Sequence, residues 1–407
     1  MSAVCWECVE DVYLKEKVKK TGKGADCSIC GRRRKSFSAE DLAALIDPIL
    51  RERVTPGESF KRFGPDDDDW WDQEGDALDH HVQEIIGQYL GFEEEIIDAL
   101  EDQDPAQPQD GEAPFYDSSQ SYVSVQIGPL AYQSEWDDLS HALKHQTRFF
   151  NRSALSFFGR LFEDLEKLTI WNEESGSEEA LSYELPQGST LFRARICRSD
   201  SNIKAAFEDP FKNIGPPPRE LARAGRMNAE GIVVFYGALD SETCLAETRP
   251  AIGDQVGIME LSTTRPLRLL DFGRVEEAYG RPSYFQSNFD EMAERNEFLR
   301  RLETLISKPI VPGREFDYLI TQTLAEYLTR VRSPRFDGMV FKSAQRSGGK
   351  NVAIFPDQED SFAMRYVADT FNLRSVTSVE YKHGHIHVTK HDGEVYISDY
   401  NALDDDD

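Results

Sequence analysis

The spacing of hydrophobic residues changes near residue 180. Before that point, apolar side chains recur at intervals of three and four, the spacing of helices that bury one face. One such stretch, at 38–63, begins with Ser38, a residue type that caps helices, and Asp41 lies three positions on. Others lie at 75–89, 93–100 and 136–171. The pattern predicts a mostly helical region over residues 37–176.

After residue 181, short strand-like runs alternate with helical segments. The strand-like runs lie at 190–196, 232–238, 255–261, 339–342 and 352–355, and the helical segments at 241–248, 289–305 and 317–332. Such alternation predicts an α+β domain over residues 177–370. For residues 371–407 we expect a β-hairpin, with Asp392-Gly393 as its turn, and an acidic tail.

Composition and charge narrow the function. The formal net charge is −28 and 39% of residues are hydrophobic, so we expect a globular protein that does not bind nucleic acid or anionic membranes over most of its surface. There is no long apolar run to span a bilayer. The N-terminus lacks the pattern of a secretory signal, and a cytoplasmic protein is expected.

Four of the six cysteines form two pairs with the spacing of a zinc site. In each pair two residues separate the cysteines, and eighteen residues separate the pairs, which are Cys5 with Cys8 and Cys27 with Cys30. We therefore predict a structural zinc module over residues 1–36; a redox dithiol is the alternative. This segment is locally basic. It could contact nucleic acid, but docking on the acidic body of the same protein is the preferred interpretation.

Several motifs follow one another in the second half of the chain. Leu-Phe-Arg ends at Arg193, Gly-Arg-Met-Asn occupies 225–228, and Val-Val-Phe-Tyr-Gly-Ala occupies 233–238. Glu-Thr-Cys-Leu-Ala-Glu-Thr-Arg occupies 242–249, and Phe-Asp-Gly at 336–338 leads to Ser343. In this order they resemble the RES family, over nearly half of the chain. The family resembles ADP-ribosyltransferases in fold, and its characterised members are toxins that degrade NAD⁺.

The resemblance implies particular site residues. By position, the catalytic residues are Arg193, Glu247, Ser343 and Tyr236, and the residues that bind NAD⁺ are Arg226, Asn228 and Arg195. Arg193 and Arg195 lie two apart, on the same face of the predicted strand, so the pattern does not decide which one carries the family role.

The residue types suit cleavage of the bond between nicotinamide and ribose. Residues 181–368 contain no histidine, which excludes a Ser-His-Asp triad there unless another segment supplies one. A carboxylate such as Glu247 would stabilise a ribose oxocarbenium, and an arginine fork would hold the pyrophosphate. Taken singly, each residue also fits a structural role. Glu247, for example, could pair with Arg249.

The expected function is therefore that of an NAD⁺ glycohydrolase or phosphorylase, a toxin or defence effector that its N-terminal domains restrain. The expected partner is an antitoxin, or a second copy of the chain that associates through those domains. The region before the RES-like part resembles HEPN-type helical domains in order and helix content only, without the Arg and His pair of a HEPN ribonuclease. The alternatives are ADP-ribosyl transfer to a macromolecule and a non-catalytic, zinc-dependent adaptor.

Overall fold

The computed structural model describes residues 2–62, 70–104, 114–172, 176–278, 282–307, 315–357, 361–380, 386–391 and 394–399. The chain divides into two compact units. The first comprises Met1–Leu181 and Arg274–Glu303, and the second comprises Ser182–Gly273 and Thr304–Asp407. Within the described ranges, no helix has both the length and the apolar character needed to cross a membrane.

Up to residue 181, short strands and helices alternate. The strands are β1 (Ala3–Cys5), β2 (Lys23–Asp26), β3 (Arg33–Ser38), β4 (Val54–Pro56), β5 (Ser59–Arg62), β6 (Trp70–Gln73), β7 (Asp76–Ala77), β8 (Ser121–Ser124), β9 (Thr169–Asn172) and β10 (Ser177–Ala180). The helices are α1 (Val12–Thr21), α2 (Ala39–Arg53), α3 (Leu78–Ile86), α4 (Glu93–Asp102), α5 (Leu130–His145) and α6 (Arg152–Leu161), followed by a 3-10 turn at Leu165–Lys167. The strands pair in the orders β1-β3-β2, β4-β8-β7, β5-β6 and β9-β10.

From residue 182 onward, longer strands appear. They are β11 (Ser182–Leu185), β12 (Thr190–Cys197), β13 (Phe235–Ala238), β14 (Gln255–Thr263), β15 (Leu267–Asp271), β16 (Gly338–Lys342), β17 (Lys350–Ile354), β18 (Met364–Tyr366), β19 (Asn372–Ser375), β20 (Ile386–His391) and β21 (Glu394–Asp399). The α-helices are α7 (Asp200–Glu208), α8 (Pro210–Ile214), α9 (Ser241–Glu247), α10 (Phe272–Glu276), α11 (Phe289–Ser307) and α12 (Leu319–Glu326). Two 3-10 helices, Arg219–Leu221 and Glu315–Tyr318, and a π-helix, Tyr327–Val331, complete the order.

Helix α2 begins where the sequence predicts and ends earlier. The Ser38 hydroxyl accepts a hydrogen bond from the Asp41 amide, and the Asp41 carboxylate accepts one from the Ser38 amide, both at 3.2 Å. This capping box satisfies two N–H groups at the start of the helix. The helix ends at Arg53. Val54 is β-branched and Thr55 precedes Pro56, and both features favour extended backbone. The predicted stretch to residue 63 was therefore too long.

The first unit has two apolar centres. One joins α1 with α2, α3 and α4, so the cysteine-bearing segment and these helices share one hydrophobic cluster. The other is aromatic: Trp136 of α5 lies 5.7 Å from Phe298 of α11, measured between ring centroids, and Phe157 of α6 contacts both. The buried Arg295 of α11 donates hydrogen bonds to the carbonyls of Leu161 and Glu163.

A nine-stranded sheet forms the centre of the second unit. Its order is β11-β15-β16-β17-β13-β12-β14-β18, with β19 also pairing with β14. The pair β15 and β16 is parallel, and the other pairs are antiparallel. Apolar side chains of these strands pack into one buried cluster, with Leu191, Phe235, Met259, Val340 and Val352 among them. This sheet carries the candidate site.

The α+β class predicted for the chain is confirmed. The strands β12, β13, β14, β16 and β17 fall at the predicted runs, and α9 and α11 at predicted helices. The tail pairs as the antiparallel hairpin β20–β21. Its predicted turn, Asp392-Gly393, and the predicted acidic tail lie outside the described residues.

Candidate active site

A cavity of about 290 Å³ opens in the second unit. Strands β12, β13, β16 and β17 and helix α9 all contribute side chains to its wall, because neighbouring strands of one sheet present adjacent residues on one face. Of the predicted site residues, Arg193, Tyr236, Glu247 and Arg226 line it. The described residues that line the cavity come from 193–194, 226–249, 307 and 341–351, so separate stretches of sequence meet at one place.

The charge of this cavity is opposite to that of the whole chain. Four cationic side chains, Arg193, Arg226, Arg249 and Lys342, line it, and Glu247 is the one carboxylate among its described lining residues. The chain as a whole has a net charge of −28. The local excess of cations arises because separate elements bring their basic residues to one cavity. Arginine forks bind phosphate oxygens through paired hydrogen bonds, so the cavity suits a phosphorylated ligand.

Arg193 is held rigidly at the cavity wall. Its Nε donates to the Ile214 carbonyl at 2.8 Å and its Nη1 to the Tyr236 carbonyl. Its guanidinium lies 5.6 Å from the centre of the Phe235 ring. Burial, and then the positive charge of Arg195, lower the pKa of the Arg193 guanidinium to about 10. The group therefore remains a cation at neutral pH.

Arg195 lies outside the cavity. Its side chain is exposed and its Nη1 donates to the Asn213 carbonyl at 2.7 Å. The two arginines do share a face of β12, as the sequence predicts, yet only Arg193 is among the lining residues. The geometry therefore favours Arg193 as the arginine that meets a ligand.

Tyr236 and Asn228 fix the loop that carries Arg226. The Tyr236 hydroxyl donates to Asn228 Oδ1 at 2.7 Å and accepts from the Met227 amide at 2.9 Å. Burial raises the pKa of Tyr236, so the phenol stays neutral. A Cβ on Gly225 would lie 2.6 Å from Asn228 Oδ1, so this contact requires glycine.

Asn228 does not reach the cavity. Its Nδ2 donates to the carbonyls of Arg223, Ala229 and Ile232 at 2.8 to 3.1 Å, and the residue is buried. Because its side-chain amide binds these carbonyls, Asn228 orients the loop that carries Arg226. Arg226, in contrast, lines the cavity, and its Nη1 donates to the Ile306 carbonyl.

Glu247 and Ser343 are in contact, although 96 residues separate them. The Ser343 hydroxyl donates to Glu247 Oε1 at 2.5 Å. The buried Asn351 donates to the same oxygen from its Nδ2 at 2.7 Å. Among the described ion pairs, none joins Arg249 and Glu247, so that particular pairing is not formed.

Sequence reasoning missed Asn351, Lys342 and Cys244 as lining residues. Asn351 comes one residue before a predicted strand, and no motif marks it, because its contact with Glu247 is long-range.

Two other lining residues have unusual surroundings. Arg249, two residues after the end of α9, has a φ of 47°, an unfavourable conformation for a residue with a Cβ. Burial raises the pKa of Cys244 to about 12, so its thiol is not a ready nucleophile.

The four predicted metal ligands lie together in the first unit. Their ligand atoms all lie within 4.8 Å of one another, in Cys5, Cys8, Cys27 and Cys30. The Sγ atoms of Cys5 and Cys30 are 3.8 Å apart. A tetrahedral zinc ion with Zn–S bonds of about 2.3 Å needs sulfurs about 3.8 Å apart, so this donor set fits zinc.

The turn after Cys27 favours a thiolate at that residue, whereas burial raises the pKa of the Cys8 thiol. The Gly31 amide donates to the Cys27 carbonyl at 2.8 Å, and Gly31 takes a left-handed φ of 67° that closes the turn. Burial raises the pKa of the Cys27 thiol, but backbone N–H groups, first those of Cys30 and Cys5, outweigh it and lower the pKa to about 7. Thiolates are the form that binds metal.

The model of the RES domain matches residues 190–375. This range contains strands β12 to β19 and every residue that lines the cavity. No curated protein and no solved structure matches the chain significantly. The match leaves residues 1–189 untouched, so their zinc-binding and HEPN-like character stays a prediction. Residues 190–375 of this chain are a RES domain.

Proposed function

We propose that the RES domain binds NAD⁺ in its cavity and cleaves the bond between nicotinamide and ribose. One observation carries the proposal: among the described residues that line the cavity, Glu247 is the one carboxylate, and two hydrogen bonds hold it among cationic side chains. This is the charge arrangement that cleavage of NAD⁺ needs, with cations for the pyrophosphate and an anion for the ribose.

Glu247 would stabilise the transition state. Nicotinamide leaves as a neutral molecule from a positively charged pyridinium, so little acid or base catalysis is required. The ribose becomes an oxocarbenium, and a preorganised carboxylate beside it lowers the barrier. Oε1 of Glu247 is occupied by Ser343 and Asn351. Among the described residues, Oε2 has no hydrogen-bond donor and is the atom proposed to face the ribose.

The arginines would hold the rest of the substrate. A volume of about 290 Å³ is at the lower end of small-molecule pockets, roughly 300–1,000 Å³, and it suits the nicotinamide and ribose half of NAD⁺. The pyrophosphate would then meet Arg193 and Arg226. Because both arginines are oriented by carbonyl acceptors, little conformational entropy is lost when they bind.

The N-terminal unit, residues 1–171, would hold one structural zinc ion and would restrain the RES domain. The zinc ligands would be Cys5, Cys8, Cys27 and Cys30. An enzyme that consumed NAD⁺ continuously would harm the cell that makes it, so a toxin or defence effector needs such an off state. The restraint would act through self-association or through an antitoxin.

Product identification tests the reaction class. The full chain is incubated with NAD⁺, with and without phosphate, and the products are separated and weighed by mass spectrometry. We expect nicotinamide in the same amount as the NAD⁺ lost. Its partner product is ADP-ribose for a glycohydrolase, phosphorylated ADP-ribose for a phosphorylase, and a modified macromolecule for a transferase. NAD⁺ content of cells that produce the protein gives a second reading.

Persistence of NAD⁺ in both settings, with no nicotinamide released by wild type or by Cys27→Ser, which is expected to lose the N-terminal restraint, would contradict cleavage. Binding of NAD⁺ without turnover would instead support the non-catalytic adaptor.

A further inference from the structure

We infer that Asn351 is a positioning residue, which holds the Glu247 carboxylate in one orientation toward the cavity. The inference rests on the proposed function, since it assigns Glu247 the role of stabilising the transition state. Asn351 is 7% exposed and lines the cavity. Its Nδ2 lies 2.7 Å from Glu247 Oε1.

The sheet places Asn351 where α9 returns to it. In β17, Asn351 pairs with Ala238 of β13 on one side and with Phe341 of β16 on the other. Helix α9 starts three residues after Ala238 and ends at Glu247. The backbone of Asn351 is held by strands on both sides and its side chain is buried, whereas the Glu247 side chain is exposed. The buried partner can therefore orient the exposed one.

The Ser343 hydroxyl has its direction determined by its other bonds. It accepts hydrogen bonds from the amides of Gln345 at 3.1 Å and Arg346 at 3.2 Å. A hydroxyl has one proton and two lone pairs, so its proton is left for Glu247 Oε1. Two donors, from β17 and from the loop after β16, thus converge on one carboxylate oxygen.

Two donors do what one cannot. A carboxylate held by one hydrogen bond rotates about that bond and about its own side-chain torsions. With Ser343 and Asn351 both bound to Oε1, the plane of the carboxylate is defined and Oε2 is directed away from them. Removing Asn351 therefore leaves Glu247 charged but less ordered, and its electrostatic effect on the transition state is reduced.

Two substitutions test this role in the full chain. Asn351→Ala removes the donor and is expected to lower kcat by on the order of 10- to 100-fold. KM should change little, because the arginines bind the substrate in the ground state as well. Asn372→Asp, on the exposed β19, is the matched control and should behave as wild type.

The second variant, Asn351→Asp, conserves size and gives a pH signature. Two carboxyl groups in contact share one proton between the two titration steps of the pair, and the shared proton restores the donor to Glu247 Oε1. As pH rises, that proton is lost and the like charges repel. Activity should therefore fall with rising pH, whereas wild type should not show this fall. Four cations line the cavity: Arg193, Arg226, Arg249 and Lys342. They shift the pH at which activity is half lost, but activity still falls as pH rises.

The inference is overturned if NAD⁺ is cleaved and Glu247→Gln impairs cleavage, while both Asn351 variants keep the wild-type kcat and pH profile. If wild type does not cleave NAD⁺, the proposed function fails, and the contact is then read directly from the ¹³C titration of the Glu247 carboxyl. A higher pKa of Glu247 in Asn351→Asp than in wild type supports the contact. An unchanged pKa overturns it.

Discussion

At the scale of single residues, Arg193 and Arg195 have different surroundings, although the sequence motif does not distinguish them. Arg193 and Arg195 alternate with Ala194 along β12 and share a face of the strand. Their difference comes from position along that face: the Arg193 guanidinium contacts the Phe235 ring and the Tyr236 carbonyl, whereas Arg195 reaches the carbonyl of Asn213 at the surface. Spacing predicts the face of a strand, but not where a cavity begins.

Replacement of each arginine tests the assignment. Arg193→Ala should raise KM for NAD⁺ by about 10- to 100-fold, the loss expected from removing charge-assisted hydrogen bonds. Arg195→Ala should leave KM within a few fold of wild type. Steady-state kinetics measure both, and thermal unfolding controls for folding, because Arg193 also holds two carbonyls. Equal effects of the two substitutions on KM would contradict the assignment to Arg193.

The candidate site could be predicted in part, through the motifs that resemble the RES family. Four residues of those motifs, Arg193, Arg226, Tyr236 and Glu247, line one cavity. Asn351 could not be predicted, since hydrogen bonding across 104 residues leaves no local pattern.

At the scale of elements, local sequence predicts most of the secondary structure and part of its boundaries. Ser38 and Asp41 define the start of α2, because a capping box depends on neighbouring residues alone. Strands β9 and β10 lie where the predicted helix at 136–171 and the boundary between 176 and 177 were expected. Those two short strands pair with each other, and such pairing depends on contacts between strands rather than on propensity.

The cysteine-bearing segment carries the element-scale prediction. One zinc ion per chain is expected, and Cys27→Ser should lose it and disorder the first ~35 residues, because a structural zinc contributes folding energy locally. Elemental analysis and proteolysis give the two readings. With the N-terminal unit as a restraint, NAD⁺ turnover by this variant should be equal to or higher than that of wild type.

Cys197→Ser is the matched control, since Cys197 lies in the RES domain and far from the cluster in sequence. Wild-type protein purified without chelators that contained no metal would refute the zinc site.

At the scale of the whole molecule, the division of the chain was only partly predictable. The boundary between 176 and 177 stays a prediction, and the second unit of the structure begins at Ser182. The grouping of Arg274–Glu303 with the first unit was not predicted. Helix α11 is recognisable from its own sequence, but the partners of Phe298 are α5 and α6, more than 130 residues earlier. Periodicity indicates that a face is buried, and does not indicate against what.

This grouping affects how restraint can be studied. A chain that began at Ser182 would keep α11 and lose Trp136 and Phe157, its aromatic partners, and would expose Phe298. Substitution within the full chain is therefore the better approach to the role of the N-terminal unit.

The central claim is that Glu247 stabilises the transition state for release of nicotinamide from NAD⁺. The most direct measurement is the rate of that release by Glu247→Gln and wild type at saturating NAD⁺. Glu242→Gln is the control: Glu242 lies on the same helix, pairs with Arg374 and is not among the lining residues. We predict that Glu247→Gln lowers kcat by about 10²–10³-fold with a much smaller change in KM, and that Glu242→Gln matches wild type. A Glu247→Gln protein that releases nicotinamide within a few fold of the wild-type rate would contradict the claim.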